Sequence, residues 1–167
     1  MKTYIDMDGV IVDFFLATHQ LHGKDPKEYP VGKWHMEHVF RLGWDQLTKD
    51  MSASWWANLP KTSYADYIMS FVKEPVFLTT HMDGRCVEGK EEWVKKHYPK
   101  VPLVFTRSKG AVASSDSVLI DDRKKNTDAF MAGGGKSIVL VPAIWNERAN
   151  ERGNVEIIVK QEYRKFI

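Results

Sequence analysis

The chain is poor in cysteine, in long apolar stretches and in charge of one sign, and each shortage excludes a class of protein. Cys86 is the single cysteine, so no intrachain disulfide can staple the fold and a reducing compartment is expected. Stretches free of Asp, Glu, Lys and Arg reach only ten residues, at Phe14–Gly23, Met51–Pro60 and Ser137–Asn146. A membrane-crossing helix needs about 20 apolar residues, so no membrane partner is expected. The 24 basic and 22 acidic side chains leave a net charge of +2 with no basic run, which disfavours a long nucleic acid as partner. The first residues place no basic stretch before an apolar core. Export by a signal peptide is therefore not expected, and a cytoplasmic location is. Internal repeats and low-complexity tracts are also missing. What remains is an ordinary globular composition, 43% hydrophobic and 28% charged over 167 residues, enough for one domain carrying an insertion.

Five short runs read as strands: Thr3–Ile5, Val76–Leu78, Leu103–Phe105, Val118–Ile120 and Ile138–Val141. They are nearly continuous in apolar residues, the pattern of strands covered on both faces in a parallel sheet. Helical segments follow the later runs, at Val87–His97 before Pro99 and at Lys124–Met131 before three glycines. The expected fold is α/β, an open Rossmann-like parallel sheet of about five strands. Residues 14–72 do not fit that alternation. They read as short helices at Phe14–His22, around Trp34–Arg41, at Trp44–Met51 and at Tyr64–Phe71, the last with Ser63 as N-cap. This segment is too long for a βα connection, so residues 14–72 form a helical cap subdomain on a core of residues 1–13 and 73–167. It carries 11 of the 20 aromatics, enough to build its own small core and to leave Phe14, Trp55 and Trp56 as candidates to line a pocket for a flat ring.

The chemistry gathers at the strand ends. Asp6 and Asp8 leave the first strand at i and i+2, which points both carboxylates to one side, and Gly9 lets the backbone turn close to whatever they bind. Paired carboxylates repel unless a divalent cation compensates them. The second strand ends in Thr79-Thr80, the third in Thr106-Arg107-Ser108-Lys109 and the fourth in Asp121-Asp122-Arg123. A parallel sheet brings these ends to one edge. Acidic pairs, hydroxyls and a lysine meeting there are what phosphoryl transfer needs: nucleophile, oxygen donors, countercharge and a metal cage.

Asp6-Met7-Asp8-Gly9-Val10, Leu78-Thr79, Lys109 and Ile120-Asp121-Asp122 together resemble the four motifs of the haloacid dehalogenase-like phosphatases. Asp6–Phe14, Thr106–Lys109 with Leu119–Arg123, and Lys90–Val94 resemble more narrowly the 5′(3′)-deoxyribonucleotidases. Where that family has Ser-Pro after the second-motif threonine, this chain has Thr80-His81-Met82-Asp83. The resemblance implies Asp6 as nucleophile and Asp8 as general acid and base. It implies Thr79 and Lys109 as partners of the transferring phosphoryl group. Mg²⁺ would be held by Asp6, the Asp8 carbonyl and Asp122, with Asp121 a ligand or one step behind. Phe14, Trp55, Trp56, Thr80, Lys90, Arg107 and Arg123 are the candidate substrate contacts. Lys90, beside Glu91 and Glu92, reads first as a surface lysine and second as able to reach the site, and Arg107 and Arg123 can pair with carboxylates instead.

The implied reaction is Mg²⁺-dependent dephosphorylation of a small-molecule nucleotide, a (deoxy)nucleoside monophosphate, with homodimer formation left open. A phosphatase for a sugar phosphate or a nucleic-acid 3′ end is the alternative. A phospho-receiver signalling domain is remote, because its acidic pair would come first along the chain. The pairs His19/His22 and His35/His38 have metal-ligand spacing, but without cysteine they read as ordinary histidines.

Overall fold

The apolar runs form β1 (Lys2–Ile5), β2 (Pro75–Thr79), β3 (Leu103–Phe105), β4 (Ser117–Asp121) and β5 (Ser137–Leu140). The structure, a computed structural model, describes residues 1–167. The five strands make one all-parallel sheet in the order β3-β2-β1-β4-β5. Every residue of β4 is buried, while β3, at the sheet edge, is only half-buried. The chain runs outward from β1 through β2 to β3, then returns to the other side of β1 for β4 and β5. That reversal opens a crevice between the C-terminal ends of β1 and β4, the usual ligand position in such sheets.

Residues 14–72 form α1 (Phe14–Leu21), α2 (Met36–Phe40), α3 (Trp44–Thr48), α4 (Ala53–Ala57) and α5 (Ala65–Phe71). Asp13 caps α1 by accepting from the Leu16 amide at 2.9 Å. The expected Ser63 cap of α5 does not form. Tyr64 takes the N-cap position without a side-chain bond, and the neighbouring Thr62 spends its hydroxyl on the Val10 carbonyl instead. Helix α3 ends at Thr48, short of Met51, and α4 arises where no helix was expected, because Ser52 accepts from the Trp55 amide.

After β2 comes α6 (Gly84–His97), then α7 (Lys124–Ala132) after β4 and α8 (Val155–Tyr163) after β5. Asp83 caps α6, and Lys95, Lys96 and His97 in its last turn complement the helix dipole. Helix α4 lies directly on α6: a Cβ at Gly89 would collide with Trp56 and the Ala53 carbonyl, so only glycine permits this approach. Helix α8 was not expected; it buries Val155, Val159 and Tyr163 on one stripe. The Tyr163 hydroxyl bridges Thr3 Oγ1 at 2.8 Å and the Lys73 amide at 3.0 Å, fastening α8 to β1 and to the start of β2.

One apolar cluster runs without a break from Ile5, Phe77 and Ile120 in the sheet to Tyr29, Phe40, Leu47 and Trp56 in the inserted helices. Polar ties reinforce it. Tyr64 donates to the Gly9 carbonyl at 2.9 Å, and Trp93 of α6 donates to the Leu59 carbonyl at 2.8 Å. No helix is long and apolar enough to cross a membrane.

Candidate functional site

The turn after β1 sets the first two carboxylates. The Met7 carbonyl accepts from the amides of Val10, Ile11 and Val12, which folds Asp6–Val12 into a tight loop. Met7 is buried in the core, and the residues on either side of it face a cavity. Gly9 closes the loop at φ +82°, and a Cβ there would stand 2.5 Å from Asp122 Oδ2. The position therefore requires glycine both for its backbone and for its space.

Asp6 Oδ1 accepts from the Met7 amide at 2.9 Å and pairs with Lys109 Nζ at 2.8 Å. No protein group bonds its other oxygen. Lys109 also pairs with Asp121 Oδ2 at 2.6 Å. Burial alone would pull the lysine's pKa down, but Asp121 and Asp6 push it up, so it carries a fixed positive charge. Asp121 is fully buried and accepts further bonds from the Arg123 amide at 2.8 Å and from Asn126 at 3.1 Å. Asp122 has far less support: Trp145 donates to Oδ2 at 2.7 Å, and Oδ1 is buried with no hydrogen-bond partner. Burial, then Asp121 and Asp6, push the Asp122 carboxyl well above the usual carboxylate range. Of the two neighbours, Asp122 is the carboxylate whose charge has the fewer hydrogen bonds to support it.

Asp6, Asp121 and Asp122 each place a carboxylate oxygen within 4.8 Å of the others, and Asp122 Oδ1 is buried without a partner. An all-oxygen, multiply charged donor set of this kind fits a hard dication such as Mg²⁺, which would compensate the crowded carboxylates.

Lys90 is not a surface lysine. It is 1% exposed, and its ammonium bonds Asp8 Oδ2 at 2.6 Å, Thr79 Oγ1 at 2.8 Å and the Thr80 carbonyl at 3.1 Å. All three of its protons are thereby satisfied, which offsets the cost of burying the charge. The Trp56 ring, 5.1 Å away, adds a cation–π contact. Lys90 is buried next to Gly89, and the adjacent Glu91 and Glu92 remain exposed on the outer face of α6. Desolvation raises the Asp8 carboxyl above its ordinary value, Lys90 opposes that, and Asp6 adds to it.

A cavity of about 360 Å³ opens in front of Asp6 and Asp8, large enough for a small organic ligand. Asp122, Lys90, Thr80 and Arg123 reach it, as do Phe14 and Trp56. Thr79, Lys109 and Asp121 stand one layer behind, gripping the residues that do. Trp55 does not line the cavity. It packs edge-on against Phe14 and Trp56, while Phe14 stacks on Trp56 at 5.4 Å, so the trio is mainly a packing unit with Phe14 and Trp56 at the wall. Arg107 is exposed and lies outside the cavity as well, because Thr106 and Ser108 turn the chain outward after β3. Arg123 makes no ion pair. Its guanidinium lies 4.3 Å over the Trp34 ring, at the cavity mouth. The Cys86 thiol is a buried wall element whose pKa burial raises, which keeps it protonated and inert.

Sequence reasoning missed Trp145, Asn146, Asn126, Trp34 and Trp44. Asn146 donates to the Asp122 carbonyl at 2.7 Å and the Val141 carbonyl at 2.8 Å, and accepts from the Ala143 and Arg148 amides. It locks the loop after β5 against the fourth motif, and Trp145 bonds Asp122 from that same loop. The signal was available: if four strand ends carry site residues, so should the fifth, and Ile144-Trp145-Asn146 follows it. Trp34, in the loop before α2, and Trp44, at the start of α3, could not be placed without the fold. No protein-family model matches the chain, and no curated protein matches it.

Proposed function

We propose that the chain is a phosphomonoesterase that removes phosphate from (deoxy)nucleoside monophosphates through an aspartyl-phosphate intermediate. The observation that carries this reading is the position of Asp6. Its unbonded carboxylate oxygen belongs to a residue held by Lys109 at 2.8 Å, beside Asp121 and Asp122, at the floor of a cavity with Asp8 on the same loop. That is a nucleophile with countercharge behind it and a second carboxyl within reach of the leaving oxygen.

Asp6 attacks phosphorus, and Lys109 holds the attacking carboxylate in place. Asp8 gives a proton to the departing alkoxide and then takes one from the water that opens the acyl phosphate. Burial shifts Asp8 toward holding a proton against the pull of Lys90, the direction that the first half-reaction needs. Thr79 and the Thr80 carbonyl hold Lys90 at the cavity wall, where its charge faces the incoming dianion and can exchange Asp8 for phosphate oxygens. Asp6, Asp122 and the Asp8 carbonyl would hold Mg²⁺, which would supply charge neutralisation between the anionic nucleophile and a dianion. Asp121 orients Lys109 rather than facing the cavity.

The aromatic walls at Phe14, Trp34, Trp44 and Trp145 favour a substrate with a flat apolar ring over a bare sugar phosphate. This arrangement, with the four motifs in order, is what supports a relationship to the haloacid dehalogenase-like phosphatases and their deoxyribonucleotidase branch. The test is a panel of nucleoside and sugar monophosphates assayed with and without Mg²⁺, alongside Asp6→Asn. Fast release from deoxyribonucleotides that needs Mg²⁺, with at least about a 10³-fold loss in the folded variant, supports the reading. Equal rates on sugars would reduce it to a general phosphatase. Full turnover by Asp6→Asn would remove the mechanism.

A further inference from the structure

We propose a second metal site at the rim of the cavity, formed by His35, Glu37 and His38 and suited to a late first-row dication of the zinc type. The two histidine pairs have identical spacing in sequence, but the fold treats them differently. His19 is buried, bonds the Phe15 carbonyl at 2.8 Å and is enclosed by Phe15, Tyr29 and Phe40. His22 bonds the Leu47 carbonyl at 2.9 Å. Both are engaged in holding α1 to its neighbours.

His35 and His38 are exposed, with ring centroids 5.1 Å apart, and neither ring is committed to the backbone. Glu37 joins them, its Oε1 2.9 Å from His35 Nδ1. One nitrogen from each ring and one carboxylate oxygen lie within 4.8 Å of one another. Tetrahedral zinc with bonds of about 2.0–2.2 Å needs ligand atoms roughly 3.4 Å apart. Rotations of exposed side chains close that difference. The backbone beneath is already fixed: Met36 and Phe40 are buried in the core, and the His35 carbonyl accepts from the amides of His38 and Val39.

The donor chemistry separates this site from the carboxylate centre. Two imidazoles and one carboxylate suit Zn²⁺ or Co²⁺, whereas the all-oxygen set of Asp6, Asp122 and the Asp8 carbonyl suits Mg²⁺. Three protein ligands leave a fourth position free. His35 and Glu37 also line the cavity, so an anionic ligand bound there can supply the fourth donor. A dication at this rim would place positive charge opposite the carboxylate floor.

The experiment is titration of untagged protein with Zn²⁺ and Co²⁺ in saturating Mg²⁺, which occupies the carboxylate centre. It is independent of any catalytic activity. The expected result is one equivalent bound, with the intense visible absorption of tetrahedral Co²⁺. His38→Ala, at an exposed position outside the cavity lining, should weaken binding more than about 100-fold, since even indirect supports of a metal site cost 10–100-fold. Glu37→Gln should weaken it as well. Unchanged thermal unfolding without metal shows that both variants fold. Absence of a Zn²⁺ equivalent under saturating Mg²⁺, or wild-type affinity in His38→Ala, overturns the proposal and leaves His35 and Glu37 as a surface hydrogen bond.

Discussion

Replacing Lys109 with Met keeps roughly the volume of the side chain and removes one positive charge from a pocket that also holds Asp6, Asp121 and Asp122. Lys109 is 3% exposed, and its ammonium lies 2.8 Å from Asp6 Oδ1 and 2.6 Å from Asp121 Oδ2. Asp121 has no access to solvent, so it cannot be hydrated in compensation. Orphaning a buried charge in this way costs about 3–5 kcal/mol. For a chain of this length each kcal/mol moves the melting temperature by about 2–4 °C, so a fall of about 6–20 °C is expected in chelator at pH 7. The pH dependence identifies the cause. Without Lys109, Asp121 and Asp122 hold protons more tightly in the folded than in the unfolded chain. The variant's deficit should therefore narrow as pH falls from about 7 toward 5. Adding Asp121→Asn should recover part of the loss, because fewer uncompensated charges remain. The assay is thermal unfolding followed by circular dichroism across that pH range. A melting temperature within about 2 °C of the parent would refute the reasoning, as would a deficit that widens on acidification.

In the unaltered protein, burial lifts Asp121 from 3.8 to about 6, against the pull of Lys109, and raises Asp122 as well. The folded state then holds protons that the unfolded state has released, so without divalent cation stability should fall as pH rises from about 4 to about 6. Mg²⁺ should flatten that slope, and denaturant titrations with and without the ion would expose an unchanged one. Gly9→Ala forces a left-handed backbone costing about 1–2 kcal/mol and drives a methyl group against Asp122. Chemical denaturation should show at least that loss, and a neutral result would contradict the geometry. Asn146→Ala strands the Asp122 and Val141 carbonyls and two amides, so a loss of at least about 2 kcal/mol is expected. Thermal unfolding within about 1 °C of the parent would count against that role.

The strands were legible because each is a short apolar run ended by polar residues, and parallel strands covered on both faces leave that trace even at four residues. Their order was not legible, since nothing in β1 states that β4 will lie beside it. Asp6, Asp8, Asp121 and Asp122 were legible for the same reason, being attached to strand ends. Lys90 was misjudged because charge patterning on a helix reports the outer face well but says little about a lysine flanked by glycine, whose missing side chain lets α4 close over it. The helices of residues 14–72 were harder to bound. With five to eight residues each, their ends are decided by single hydrogen bonds such as that of Ser52, and propensity has too few residues over which to accumulate. Trp34 and Trp44 reach the cavity only through tertiary packing.

The shared apolar cluster limits how this molecule can admit a ligand. A lid that swings as one body must part from its base along a seam that tolerates water. Here Trp56 and Leu47 continue the same core as Phe77 and Ile120, and Tyr64 and Thr62 are bonded to the loop that carries Asp6 and Asp8. Lifting the inserted helices away would unfold the support of the loop that carries Asp6. Traffic in and out of the pocket is therefore left to small excursions of the half-exposed indoles at its doorway, Trp34 and Trp44, over a frame that stays still.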